Sequence, residues 1–304
     1  VPEQAGVSNT TVTMNAASMN NSGFEFSATY RNRDRDFKYE LSANLSTLRN
    51  RVTSLGFGTD SYISGAYITN VGQEIGQFYG WAYEGIVRTQ EDLDNHATQE
   101  GARIGDCLYK DVSGPDGKPD GKIDANDQVV LGSGMPKIHF GLNARFEYKR
   151  FDLSIATFGA LNYHVSDDIY NSLNSCYGWG NKEVGMLDAN RFSEDGSTYL
   201  SNVPRTYVTN SASLGWNDLF SSRKIQNAAY WKIANVELGY NFPNEWFGKY
   251  VSDVRFYVSA QNLHTFTGYH GYNVDYAGGT FTPGYNFCSY PTARTFMCGV
   301  HFTF

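Results

Sequence analysis

The chain of 304 residues holds 22 Tyr, 20 Phe and 31 Gly, with a formal charge of −7 and a pI near 5.4. It has no basic stripe that would release counterions from phosphates, so nucleic acid is excluded as a partner. Mean hydropathy is −0.44 and no apolar run approaches the roughly 18 residues of a membrane-crossing helix, while GxSxG, HExxH, P-loop and helix-opening GxGxxG patterns are all lacking, so no enzyme is indicated.

The first element in chain order is a hairpin. Phe24, Phe26, Ala28 and Tyr30 alternate with Glu25, Ser27 and Arg31; a polar turn follows around Asn32 to Arg35; Phe37, Tyr39, Leu41, Ala43 and Leu45 then alternate with Lys38, Glu40, Ser42 and Asn44. A long polar, Gly-rich stretch from Val52 to Pro136 comes next. From Lys137 to Lys149, Ile138, Phe140, Leu142, Ala144, Phe146 and Tyr148 face away from His139, Asn143, Arg145 and Glu147. A helix would scatter these apolar side chains around its axis, whereas a strand gathers them on one side. A tight turn near Lys149 and Arg150 leads to a strand with Phe151, Leu153 and Ile155 against Asp152, Ser154 and Ala156.

After a second long stretch, Tyr163 to Asn227, a third pair runs from Tyr230 to Phe242 and from Val254 to Thr265. Its first strand sets Ala234, Val236, Leu238 and Tyr240 against Asn235, Glu237 and Asn241. A third stretch, Phe266 to Pro291, precedes a last strand in which Phe296, Cys298, Val300, Phe302 and Phe304 alternate with Met297, Gly299, His301 and Thr303.

Short turns thus alternate with long connections expected to lack structure of their own, the asymmetry of bacterial outer-membrane barrels. The expected fold is all-β, part of a large antiparallel transmembrane β-barrel, with polar strand faces toward the lumen. The last strand is expected to run inward to the periplasmic rim. Seven strands are an odd set, so further strands are expected before Val1, where the sequence opens with no signal peptide and reads as a fragment. The region 53–135 is read as a long extracellular loop. Cys107, Cys176, Cys288 and Cys298 lack zinc-site spacing, and a disulfide among the loop cysteines stays open.

Two sets of residues invite binding. The stretch 111–127 concentrates five aspartates in 17 residues. Counted from Asp116, it places Asp120 fifth, Gly121 sixth, Ile123 eighth, Asp124 ninth and Asp127 twelfth in a calcium-type loop, with Lys118 at the third position where an oxygen is expected. Either Ca2+ is bound there or the stretch is a metal-free Asp/Gly turn cluster; no cofactor is required. The aromatic loop residues Trp81, Tyr83, Trp179, Trp216, Tyr269 and Tyr272 are candidates for stacking on a substrate, against the alternative that they pack the loops together.

Ordered segments resemble one known family. They include Asn20 to Tyr30, Ser42 to Leu45, Asn50 to Leu55, Val71 to Gly80, Glu84 to Ile86 and Lys110 to Val112. Asp120 to Asp124, Tyr148 to Leu153, Asn235 to Tyr240, Val258 to Leu263 and Tyr290 to Phe296 continue the series. Over nearly the whole chain they are similar to the C-terminal third of SusC/RagA-like TonB-dependent outer-membrane transporters of Bacteroidetes. The resemblance implies a barrel of about 22 strands, filled by a plug and embedded in outer-membrane lipid. It also implies energy-coupled import of oligosaccharides or oligopeptides, with a SusD-like surface lipoprotein as lid and TonB acting through an N-terminal region outside these residues. In the family's register Asp111 and Ser113 would be the first ligands of the Asp-rich loop, with 115–119 an insertion. The alternatives are a surface adhesin or passive porin barrel, and a soluble glycan-binding domain.

Overall fold

The computed structural model describes residues 17–56, 58–176, 181–186, 192, 201–205, 215–247, 251–275 and 278–304. Its largest element is an antiparallel sheet of seven strands: β1 (Glu25–Asn32), β2 (Phe37–Thr47), β3 (Ile138–Tyr148), β4 (Phe151–Leu161), β5 (Tyr230–Asn241), β6 (Asp253–Thr267) and β7 (Thr295–Thr303). Each strand pairs with the next in sequence, so the sheet is an open meander with β1 and β7 at its edges. All seven expected strands are present, and the β3–β4 turn is the two residues Lys149 and Arg150, with Lys149 at φ 54°.

Residues directly opposite in antiparallel strands share a face, so the register assigns the faces. One row runs Tyr30, Leu41, Ala144, Ile155, Val236, Ala260 and Phe296; the next, on the other side, runs Arg31, Glu40, Arg145, Ser154, Glu237, Ser259 and Met297. The sheet is therefore mainly apolar on one face and mainly polar on the other. Phe26, Tyr30, Leu41, Leu142, Leu238, Val258, Phe296 and Phe302, all of the apolar face, are exposed. A continuous exposed apolar face of this extent marks contact with a membrane or a partner. No helix among the described residues is long and apolar enough to cross a membrane.

One register expectation is corrected. Alternation places Ala234 on the same face as Val236, but Thr157 pairs with Ile233 and Ala156 with Asn235, leaving Ala234 as an extra residue. The opposing strand β6 bulges too, with Asn262 at φ 51°. Each bulge shifts the phase, so Trp231 and Ile233 join Val236 on the apolar face, while Tyr230 and Lys232 turn to the polar one.

The long connections are also folded, contrary to expectation. The one between β2 and β3 holds a four-stranded sheet in the order Gln128–Ser133, Gln77–Trp81, Tyr67–Asn70, Ser61–Ser64. It also holds the Tyr83–Ile86/Cys107–Tyr109 pair and a helix, Gln90–Asn95, started by a reciprocal Thr89/Asp92 capping box. These strands are too short for alternation to reveal them. The glycines that read as loop signals are their turns, for example Gly65 at φ 58° and Gly76 at φ 61°. The other two connections interlock: His164–Asp167 pairs with Gln226–Asn227 and, in parallel, with Tyr285–Asn286. Water-excluded clusters lie in this loop layer, which rests on one end of the sheet.

Candidate functional site

Three of the expected aromatic residues meet. Trp81, Tyr83 and Trp216 pack on a buried cluster of Cys107, Tyr109 and Ile123. The two indole N–H groups are directed into the loop layer, Trp81 Nε1 donating to the Asp124 carbonyl (3.0 Å) and Trp216 Nε1 to the Glu100 carbonyl (2.8 Å), while the Tyr109 hydroxyl donates to the Trp216 carbonyl. Burial pushes the Cys107 thiol up to about 12 and raises the Tyr109 and Tyr83 phenols, so these groups stay neutral. Nearby, Arg205 pairs with Asp106 (2.7 Å), which also accepts from Asn217 Nδ2 (2.8 Å). The arrangement ties the first connection to the second.

Tyr269 sits elsewhere. It is buried with Ala160, Tyr163, Val165, Ala228, Tyr230 and Val274, its hydroxyl donating to Asp167 and accepting from Asn286 Nδ2 (2.8 Å). Tyr272 is exposed, and Trp179 lies outside the described residues.

In the Asp-rich stretch, the carboxylates turn to backbone N–H groups. Asp127, fully buried, accepts from Val112 (2.8 Å), Ser113 (3.1 Å) and Asp124 (2.8 Å). Asp111 accepts from Gly121 (2.7 Å) and Asp120 (3.3 Å), Asp120 from Lys122 (3.0 Å), and Asp124 from Asn126 (2.7 Å). Asp116 and Ser113 complete the expected set; Ser113 Oγ lies 3.5 Å from the Gly114 carbonyl. Among the described residues no group of three or more His, Cys, Asp or Glu side chains is placed to hold a metal ion.

A larger concavity opens on the polar face where the sheet meets the loop layer. Its volume is about 790 Å3, and Pro136, His139, Phe158, Tyr163, Tyr230 and Val274 line it. Asp275 lies at its margin, held by Lys232 Nζ at 2.5 Å, and that ammonium also lies 5.8 Å from the Phe158 ring centroid. Of the polar-face residues expected in the lumen, His139 reaches this cavity. Sequence reasoning missed the others. The available signal was Phe158 and Ala160, apolar residues standing on the otherwise polar face of β4.

No profile of a known protein family matches the chain. Individual proteins do. TonB-dependent receptor P3 of Formosa agariphila is 30% identical over the whole chain, and the receptor SusC of Bacteroides thetaiotaomicron is 25% identical over 97% of it. The chain spans about three-tenths of the length of these relatives: 30% of the first and 27% of the second. The solved RagAB peptide transporter superposes on 94% of the chain with a TM-score of 0.74 at 22% identity, using 29% of its own chain. The two-faced meander and the similarity along this chain agree: the chain belongs to the SusC/RagA-like TonB-dependent receptors, and its seven strands are a portion of their outer-membrane β-barrel wall.

Proposed function

We propose that this chain is wall and outer loop layer of a TonB-dependent importer of large nutrients, oligosaccharides or oligopeptides, working with a SusD-like lipoprotein over its loops. The observation that carries the reading is the two-faced sheet capped at one end by folded, interlocked connections. Such a layer is a platform for a lid and a frame for a ligand, where a passive pore needs only short rims. The inner-face cavity is the ligand-contact candidate: mostly apolar, with a few placed polar groups. The remaining wall strands, the plug and the TonB-contacting segment belong to sequence beyond these residues.

The test is uptake by cells carrying the full-length receptor, with and without TonB. Labelled oligopeptide and oligosaccharide mixtures are offered separately. Loss of uptake without TonB, and a lipoprotein co-purifying with the receptor, are the expected results. Equal uptake in both strains would establish a passive porin instead.

A further inference from the structure

Arg223 stands in a short 3-10 turn, Ser222–Lys224, in the second connection. Its partly buried side chain lines a cleft of about 410 Å3 shared with Tyr170, Gln226, Asn227 and His270. A guanidinium carries five N–H donors and a permanent charge. Among the described residues it has no hydrogen-bond acceptor and no carboxylate partner; Cys107, Cys176, Tyr83 and Tyr109 are its neighbours, together with the Lys224 ammonium. Asp218, one turn earlier, is engaged by Lys224, whose Nζ lies 3.7 Å from Oδ1 and 2.5 Å from the backbone carbonyl. A half-buried cation without a counter-charge is an unmet demand.

Gln226 adds a second. Its Oε1 accepts the His270 backbone N–H (3.0 Å) and faces His270 Nδ1 (3.2 Å). Because a backbone amide only donates, that end of the side chain is the oxygen, and the NH2 end is fixed by elimination. This Nε2 is buried without a partner among the described residues. Tyr170 stacks on His270, centroids 5.6 Å apart and planes within 10°, giving the cleft a flat wall.

We propose that this cleft binds a carboxylate, with Arg223 as its bidentate partner and Gln226 as a supporting donor. One uncompensated positive charge suits a monoanion, and the planar guanidinium fork matches the planar carboxylate. A peptide C-terminus and a uronic acid both offer that group. The site stands apart from the inner-face cavity and does not depend on how transport is energised.

The experiment is calorimetric titration of the detergent-solubilised full-length receptor. One pair of probes is N-acetyl-triglycine and its C-terminal amide; the other is galacturonate and galactose. At least one carboxylate is expected to bind about tenfold or more tightly than its neutral partner, and the arm that does so identifies the source. R223Q should erase that preference and R223K should retain part of it. Equal binding within both pairs, an R223Q protein that keeps the preference, or equally tight binding of inorganic sulfate would overturn the proposal. If R223Q fails to fold, the wild-type ligand pairs still decide, with Q226L expected to weaken the carboxylate about threefold. Binding needs neither TonB nor import, so failure here is distinguishable from failure of the transport reading.

Discussion

At the scale of single residues, the polar face of the wall is held by a charge fork that one glycine permits. Arg255 on β6 reaches over β5 to Asp152 on β4, with Nε to Oδ1 at 3.0 Å and Nη2 to Oδ2 at 2.5 Å, and Nη2 also lies 2.7 Å from Glu237. The path crosses Gly239, where a Cβ would stand 2.4 Å from Arg255 Nη2 and 2.5 Å from Asp152 Oδ1. Removing the cation strands two carboxylates that are only partly exposed, so Arg255→Leu is expected to cost about 1–3 kcal/mol, less than a fully buried pair because the inner face is wet. Gly239→Val should cost a similar amount by forcing the fork apart. The temperature at which the folded full-length receptor converts to its unfolded gel mobility measures both; Asp152→Asn with Glu237→Gln should restore part of the loss in the Arg255→Leu background, and unchanged transition temperatures would refute the account. None of this was legible in sequence. Alternation located Asp152 and Glu237 on one face, but the fork depends on register across three strands, which alternation does not fix.

Among the elements, the loop layer owes its shape to carboxylates and one imidazole acting on backbone and packing. Asp127 satisfies three N–H groups while fully buried, so Asp127→Ala is expected to weaken the 111–127 turn by about 2–4 kcal/mol and to expose it to proteases. The cleavage rate should be the same in EDTA and in millimolar calcium. A turn that EDTA opens as the substitution does would mean that a metal, not the carboxylate–amide bonds, holds it. His164 lies against Gly132, whose added Cβ would be 2.8 Å from its Nδ1. Burial, and secondarily Lys137, lowers its pKa, opposed by a backbone hydrogen bond to Ser133. Its folded pKa therefore lies below the ordinary value of about 6.5, so its stabilising contribution is full above that value and is lost as pH falls through it toward the folded pKa. Amides of Gln128–Ser133 and His164–Asp167 should exchange faster at pH 5.5 than at pH 7.5 after correction for intrinsic rates, and His164→Gln should flatten the difference. Sequence gave no hint of these contacts, since they join residues far apart in the chain: Tyr109 reaches Trp216, and Cys107 N–H reaches Asn217 Oδ1 at 2.7 Å. The wall strands were legible because period-two alternation over about ten residues is a local signal. At Ala234 even that signal failed, because a bulge changes phase without changing composition.

For the whole molecule, the decisive property is that the two faces of one sheet meet different surroundings. The mainly apolar face extends from Phe26 on β1 to Phe302 on β7, and the opposite rows carry Arg31, Glu40, Arg145, Glu237 and His301. A soluble domain would bury the apolar face under a second layer, but here the folded connections gather at one end and leave it uncovered. In an outer-membrane wall that face meets lipid and the other meets the lumen. Adjacent residues at the middle of β3 separate the two directly, because Leu142 and Asn143 are both exposed but on opposite sides. Leu142→Arg should destabilise the full-length receptor by about 2–4 kcal/mol, the cost of a cation at mid-membrane depth, and lower the folded fraction recovered from the outer membrane. Asn143→Arg, one residue along the same strand, should leave both within about 0.5 kcal/mol of wild type. Equal effects would mean that neither face meets lipid, and the reverse order would mean that the wall is turned inside out relative to the assignment made from its register.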